Sequence, residues 1–280
     1  MYTIGIVGAG YTGGRLAAYF RAKKQKVWAV SRSSEKKKWL ESLGAEAVLT
    51  DLAQAGSLEI PPAHFIVIAL APEERTPEAY RKIYLEAAGR VLDAVRKNPR
   101  PFLIVYLSST GVYGASQGGL LDESVPPEPE NERAKILLEA ERQVLESGYP
   151  AAVFRLAGIY GPGRNVLVRL KEGRELETEE RTVNMILVED VVENIPLFFK
   201  AAQAGEIYLG VDDLPVKRSE LYAWLASKSG LPFPETMPKS SEGGKRYGNA
   251  KLKRLGAKLK FPTFREGYTA ILESMELEKK

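Results

Sequence analysis

The sequence predicts an α/β fold, a doubly wound parallel sheet with a smaller C-terminal substrate-side lobe, and three observations predict it. Strand-like and helix-like segments alternate with short connections through about two thirds of the 280 residues. Two strand segments, Phe65 to Leu70 and Phe102 to Leu107, are apolar throughout, as strands buried on both faces must be. The third observation is a glycine-rich turn, Gly8-Ala9-Gly10-Tyr11-Thr12-Gly13, set between the first strand and the first helix.

That turn has the spacing of a Rossmann-type dinucleotide loop. An apolar run (Ile4, Ile6, Val7) leads in, and a helix-like segment (Leu16, Ala17, Ala18, Phe20) leads out. Gly8 permits the tight turn, and Gly10 lets backbone N–H groups approach a pyrophosphate. Gly13 lets the helix pack close to the strand, and Tyr11 and Thr12 complete the cofactor-binding loop. The pyrophosphate is then expected on the positive end of the helix dipole.

The remaining elements follow in order. Val27 to Val30 forms the second strand, and Ser33 to Leu43 a helix with Ser33 as N-cap and Gly44 as stop. Ala45 to Leu49 is a short third strand, and Phe65 to Leu70 the fourth. Thr76-Pro77 opens a helix reaching about Lys97, because proline suits a first helical turn. Phe102 to Leu107 is the fifth strand, Ala134 to Glu146 a helix closed by Ser147-Gly148, and Ala151 to Leu156 another strand. Residues 1–155 are thus expected to form the NAD(P)-binding domain, with 183–209 returning to it as strand, helix and strand (Met185 to Val188, Glu189 to Ala202, Glu206 to Leu209). Residues 156–182 and 210–280 form the smaller lobe, expected over the carboxyl ends of the strands, where such sheets bind ligands. It holds the charged stretch Arg164 to Arg181, a helix from Ser219 to Ser229 and a polar loop from Ser240 to Gly244.

Composition excludes several classes. No apolar run approaches the ~18 residues of a membrane span, and the first residues lack the charged and apolar regions of a signal peptide. There is no cysteine, which removes disulfide and thiolate chemistry and fits a reducing cytosol, so a cytoplasmic protein is expected. The net charge of +4 comes from interleaved acids and bases and does not argue for nucleic acid. The single histidine, His64, precedes the fourth strand at its amino end and reads as structural; with no cysteine and no second histidine, a zinc site is not expected.

The end of the second strand selects the cofactor. NAD-preferring loops place an acid there to bond the adenosine ribose, but this chain has Ser31-Arg32-Ser33-Ser34. Arg32 can pair with a 2′-phosphate and the hydroxyls of Ser31 and Ser33 can donate to it, so NADP(H) is expected over NAD(H). Asp51-Leu52 follows the third strand, where a carboxylate can reach the adenine amino group. Ala69, Leu70 and Ala71 end the fourth strand, where small side chains let a dinucleotide lie close. Ordinary loop and core roles stay open for both groups.

Later segments resemble a known family. The run Val105-Tyr106-Leu107-Ser108-Ser109-Thr110-Gly111-Val112-Tyr113-Gly114 and then Asp122-Glu123 is similar to extended short-chain dehydrogenases/reductases, more narrowly to the NAD-dependent epimerase/dehydratase group. Phe154-Arg155-Leu156-Ala157-Gly158-Ile159-Tyr160-Gly161-Pro162-Gly163-Arg164 and Val183-Asn184-Met185-Ile186-Leu187-Val188-Glu189-Asp190-Val191 carry the same likeness. The resemblance implies that Ser109 is the catalytic serine or threonine and Lys135 the catalytic lysine, which also holds the nicotinamide ribose. Substrates of the family are typically sugar nucleotides or related carbonyl and hydroxyl compounds.

The family's tyrosine, four residues before that lysine, is Asn131 here. An amide does not exchange a proton near neutral pH. Tyr160 and Tyr113, in loops at strand ends, are the replacement candidates, with Tyr160 carried forward as catalytic; Tyr247 and Tyr19 share the tyrosine–lysine spacing, and Glu132 adjoins the vacant position. Two readings stay open: an NADP(H)-linked epimerase/dehydratase- or reductase-like enzyme acting on a small polar or nucleotide-linked substrate, and a catalytically impaired NADP(H)-binding sensor. Lys245 and Arg246, in a basic C-terminal cluster that includes Lys239, read as solvated surface or as holding a substrate phosphate. A homodimer through Tyr80 to Val95 and Ile136 to Leu145 stays open as well.

Overall fold

The computed structural model describes residues 1–54, 56, 58–114, 116–236 and 244–277, with side chains to 275. In chain order the elements begin β1 (Thr3–Val7), α1 (Tyr11–Ala22), β2 (Lys26–Ser31), α2 (Ser34–Ser42), β3 (Glu46–Leu49) and β4 (Phe65–Ile68). Next come α3 (Pro77–Tyr80), a π-helical stretch (Arg81–Glu86), α4 (Ala87–Val95), β5 (Leu103–Ser109), β6 (Gly119–Leu121), α5 (Glu132–Leu145) and β7 (Ala151–Leu156). The chain continues through β8 (Gly158–Tyr160), α6 (Val166–Lys171), β9 (Thr182–Val183), β10 (Met185–Leu187), α7 (Val188–Ala201) and β11 (Ile207–Gly210). It ends with β12 (Val216–Lys217), α8 (Arg218–Ser229), β13 (Lys245–Tyr247), α9 (Ala250–Arg254) and α10 (Phe264–Leu277).

Seven strands form one parallel sheet in the order β11-β7-β5-β4-β1-β2-β3, the Rossmann-type arrangement. From β1 the chain builds outward through β2 and β3, then crosses back to place β4 on the other side of β1. The register pairs Val7 with Val30 on one side and with Ile68 on the other. The winding reverses at β1 and β4, and the carboxyl ends of such strands are where sheets of this kind bind ligands. The helix expected from Thr76 is present, with the Thr76 hydroxyl accepting from the Ala79 N–H at 3.2 Å, but its middle widens into π turns that the periodicity did not signal.

The chain divides into two compact units. Unit 1 comprises Met1–Gly114, Pro126–Arg155 and Asn194–Tyr208; unit 2 comprises Ala115–Val125, Leu156–Glu193 and Leu209–Lys280. Two segments differ from the sequence expectation, and strand pairing gives the reason. β6 pairs in parallel with β13, which ties 119–121 to the C-terminal region, and β10 pairs in parallel with β8 rather than joining the large sheet. The core of unit 1 gathers Trp28, Ile68, Val91, Tyr106 and Val144; that of unit 2 gathers Tyr160, Leu167, Leu187, Leu225 and Phe264. Of the expected polar loop, Ser240 to Gly244, residues 240–243 lie outside the described residues, as does Lys239.

Within unit 1 a buried ion pair joins α5 to β7. Arg155 and Glu141 are 2% and 1% exposed, and the Arg155 Nη2 donates to Glu141 Oε2 at 2.7 Å, with Nε donating to both carboxylate oxygens. The Ser108 hydroxyl, on β5, donates to the same carboxylate at 2.5 Å, and Arg155 Nη1 donates to the Tyr113 hydroxyl at 2.9 Å. Each charge is therefore desolvated and matched by several hydrogen bonds, the condition under which a buried pair is tolerated. Glu141→Ala leaves the guanidinium buried without its counter-ion. Urea unfolding is expected to show a loss of about 3–5 kcal/mol, more than an apolar Glu141→Leu/Arg155→Met double replacement loses.

Candidate functional site

At the end of β1 the backbone turns through Gly8, at φ +96°, a conformation that a side chain resists. A Cβ there would lie 2.8 Å from the Ala69 carbonyl oxygen, so the ends of β1 and β4 touch through this glycine. A Cβ on Gly13 would sit 2.0 Å from the Gly8 oxygen, which forces glycine where α1 leans on the turn. Gly10 differs: a Cβ there meets nothing within 4 Å. Gly10 is the N-cap of α1, no side chain caps that end, and no acid occupies its first turn. The end is shaped for an anion, since first-turn N–H groups point out of a helix. Thr12 is buried beneath it, and Arg15 folds back over the Tyr11 ring at 3.9 Å while donating to the Tyr11 carbonyl. The glycine cradle thus fits a dinucleotide pyrophosphate.

The neighbouring strand ends carry the rest of the expected cofactor residues. Ser31 is buried and its hydroxyl accepts from the Ser33 N–H at 3.3 Å; the Ser33 oxygen caps α2 by accepting from Lys36 at 3.2 Å. Arg32 is ion-paired with Glu73, from the segment after β4. The Asp51 carboxylate accepts from the Ala53 N–H at 2.9 Å and from Gln54 Nε2 at 3.2 Å. The Ala53 bond, with further help from Gln54, Arg32 and Lys82, holds it below the usual carboxylate range. Leu52 is buried, and its carbonyl accepts from Arg90. Ala69 and Leu70 are half-buried and Ala71 exposed, with the Ala69 N–H donating to the Val7 carbonyl at 2.8 Å. Glu73 and Arg90 escaped the sequence reading, because only folding brings 73 beside 32 and 90 beside 52.

Ser109 ends β5, half-buried, its hydroxyl accepting from the Gly111 N–H at 3.0 Å to start a 3₁₀ turn. Lys135 is exposed in the first turn of α5. Ser109 follows Ser108, and Lys135 shares a helix with Glu141, so the buried ion pair fixes both supports. Asn131 acts locally as the N-cap of α5, its Oδ1 accepting from the Ala134 N–H at 3.0 Å.

Residues 4–208 match the NAD dependent epimerase/dehydratase family. The chain belongs to that family. Protein YeeZ from Escherichia coli (strain K12) is 29% identical over 245 residues, covering 84% of this chain and 86% of that protein. A conserved protein of unknown function from Silicibacter pomeroyi DSS is 26% identical, with TM-score 0.78 over 98% of this chain and 99% of its own. The UDP-glucuronic acid 4-epimerase from Bacillus cereus, solved in complex with NAD, superposes with TM-score 0.79 over 99% and 100% of the two chains; at 15% identity that likeness shows the fold. Among the described residues no helix is long and apolar enough to cross a membrane.

Tyr160 departs from the expectation. It is 6% exposed, stacked on Tyr268 at 4.9 Å, with its hydroxyl buried and without a hydrogen-bond partner. Burial and the nearby Asp212 push its phenol far above the ordinary value, so it holds its proton. Tyr113 is spent on Arg155, and Tyr247 is buried. His64 Nδ1 accepts from the Thr3 N–H at 3.0 Å, a structural bond.

In unit 2, the Asn184 amide donates to the Lys245 carbonyl at 2.8 Å and accepts from the Tyr247 N–H at 3.0 Å, fastening the strand that carries Arg246. Glu123 accepts from the Leu209 N–H at 2.6 Å.

Asp212 is the most perturbed carboxyl in unit 2. It is 2% exposed, and burial, only partly offset by the Leu214 backbone N–H, pushes its pKa up to about 8. An acid raised from 3.8 binds its proton in the folded chain and releases it in the unfolded chain across that interval. Its contribution is therefore complete below about pH 4 and is lost as pH rises toward 8. Chemical unfolding from pH 4 to 9 is expected to show Asp212→Asn gaining on the parent steadily, with the larger part of the gain reached by pH 8.

Proposed function

We propose that the protein binds NADP(H) at the glycine turn of unit 1 and acts as an epimerase/dehydratase- or reductase-like protein on a small polar or nucleotide-linked substrate. The observation that carries the reading is the uncapped, acid-free start of α1 beneath Gly10, with a cation, Arg32, at the neighbouring strand end where an acid would select NAD. The first-turn amides of Tyr11, Thr12 and Gly13 hold the pyrophosphate. Arg32 and the hydroxyls of Ser31 and Ser33 take the 2′-phosphate, Asp51 and Leu52 face the adenine, and Ala69, Leu70 and Ala71 line the approach. When bound, the nicotinamide supplies a hydride acceptor or donor. Lys135 holds the nicotinamide ribose, and Ser109 orients the substrate oxygen by a hydrogen bond.

A second reading, an NADP(H)-binding sensor without turnover, is favoured by one observation. The position of the family's proton-exchanging tyrosine is occupied by a helix cap. Incubation with NADPH and a panel of carbonyl compounds and sugar nucleotides, followed by absorbance and product chromatography, divides the two. The enzyme reading expects a new product; tight NADPH binding with no product overturns it in favour of the sensor. Chromatography is needed because an epimerase recycles its hydride.

Calorimetric titration is expected to show NADPH binding tighter than NADH. Lys135→Ala should weaken NADPH roughly tenfold through the lost charge-assisted bond, while Asn131→Ala leaves affinity within about twofold and costs ~1 kcal/mol of stability. Equal weakening in both variants would contradict the role given to Lys135.

A further inference from the structure

The order β4-β1-β2 brings the carboxyl ends of β2 and β4 to either side of the glycine turn. Arg32 leaves one flank and Glu73 the other, and across that gap their side chains meet as an ion pair. Both are open to solvent, at 54% and 73% exposure, so the pair adds little to folding, about 0–1 kcal/mol. Asp51 adds a second carboxylate within electrostatic reach of the same guanidinium. The cation expected to choose the coenzyme is thus already engaged by an acid that the sequence keeps 41 residues away.

We infer that Glu73 is a specificity-determining residue for the coenzyme, competing with a ribose 2′-phosphate for Arg32. The inference rests on the placement of the adenosine ribose beside Arg32 proposed above. A 2′-phosphate brings close to two negative charges against a carboxylate that already holds the guanidinium. It must displace Glu73 and then remain beside it. A ribose with a free 2′-hydroxyl meets no such opposition: the ion pair stays closed, and the Glu73 carboxylate can accept the hydroxyl proton in a hydrogen bond. Glu73 therefore narrows the advantage that Arg32 gives to NADPH, and the acid that β2 lacks is supplied from the far side of β1.

The test is calorimetric titration of NADPH and NADH against the full chain, Glu73→Gln, Arg32→Ala and the double variant. Exposure of both side chains keeps the variants folded, which circular dichroism checks. Glu73→Gln is expected to tighten NADPH about tenfold while NADH changes by less than about twofold. The gain should shrink in high salt and be largely absent in the Arg32→Ala background. An unchanged NADPH-to-NADH ratio in Glu73→Gln, with Arg32→Ala still weakening NADPH, overturns the role of Glu73 and leaves the coenzyme reading standing. A gain of equal size without Arg32 overturns competition, because direct repulsion then accounts for it. Full NADPH affinity in Arg32→Ala overturns the underlying coenzyme reading instead.

Discussion

The buried pair of Glu141 and Arg155 is the constraint on which the site of unit 1 depends. Two unit charges withdrawn from water are costly, and here the cost is offset only because the fork of Arg155 meets the carboxylate at three bonds and Ser108 completes it. The bonds tie β5, α5 and β7 together at one point. Ser109 is the next residue along β5 from Ser108, and Lys135 stands less than two turns before Glu141 on α5. A polar knot with so many partners tolerates little sliding of helix against sheet. Position, not only stability, is what it supplies to the strand end at Ser109 and the helix start at Lys135.

The second constraint is steric. Gly8 and Gly13 are glycines because carbonyl oxygens occupy the places where their side chains would go, whereas Gly10 is a glycine facing open space. Two of the three thus serve the packing of β1, α1 and β4, and the third keeps the approach to a helix end clear. Charge follows the same division. The helix end is left without an acid, and the cation at the next strand end is restrained by Glu73.

Much of this was legible in the sequence. The alternating elements, the sheet class and the glycine turn follow from local patterns, because buried parallel strands and tight turns restrict composition residue by residue. Asn131 was visible as a departure, but its reason, the capping of α5, needed the helix start to be located. The placement of 115–125 and 183–193 is not legible in the sequence, because two- and three-residue strands carry no periodicity and their partners, β13 and β8, come only from the fold. Tyr160 reads from the sequence as an available loop residue beside Gly161, whereas it ends β8. The close packing of Gly267 on its hydroxyl, where a Cβ would approach to 2.0 Å, is information that a linear reading does not hold. Glu73 and Arg90 belong to the same class, side chains whose meaning comes from neighbours distant in sequence.

The cap on α5 has a consequence for anyone wishing to convert this chain into an ordinary member of its family. Grafting a phenol at 131 would remove the carbonyl that receives the Ala134 amide and would loosen the first turn, the very turn from which the lysine projects. The new phenol and the lysine four residues on would be mis-set by the same change. A workable redesign has to begin one step earlier in the chain, by extending the helix upstream and giving it a new start before any aromatic side chain is installed.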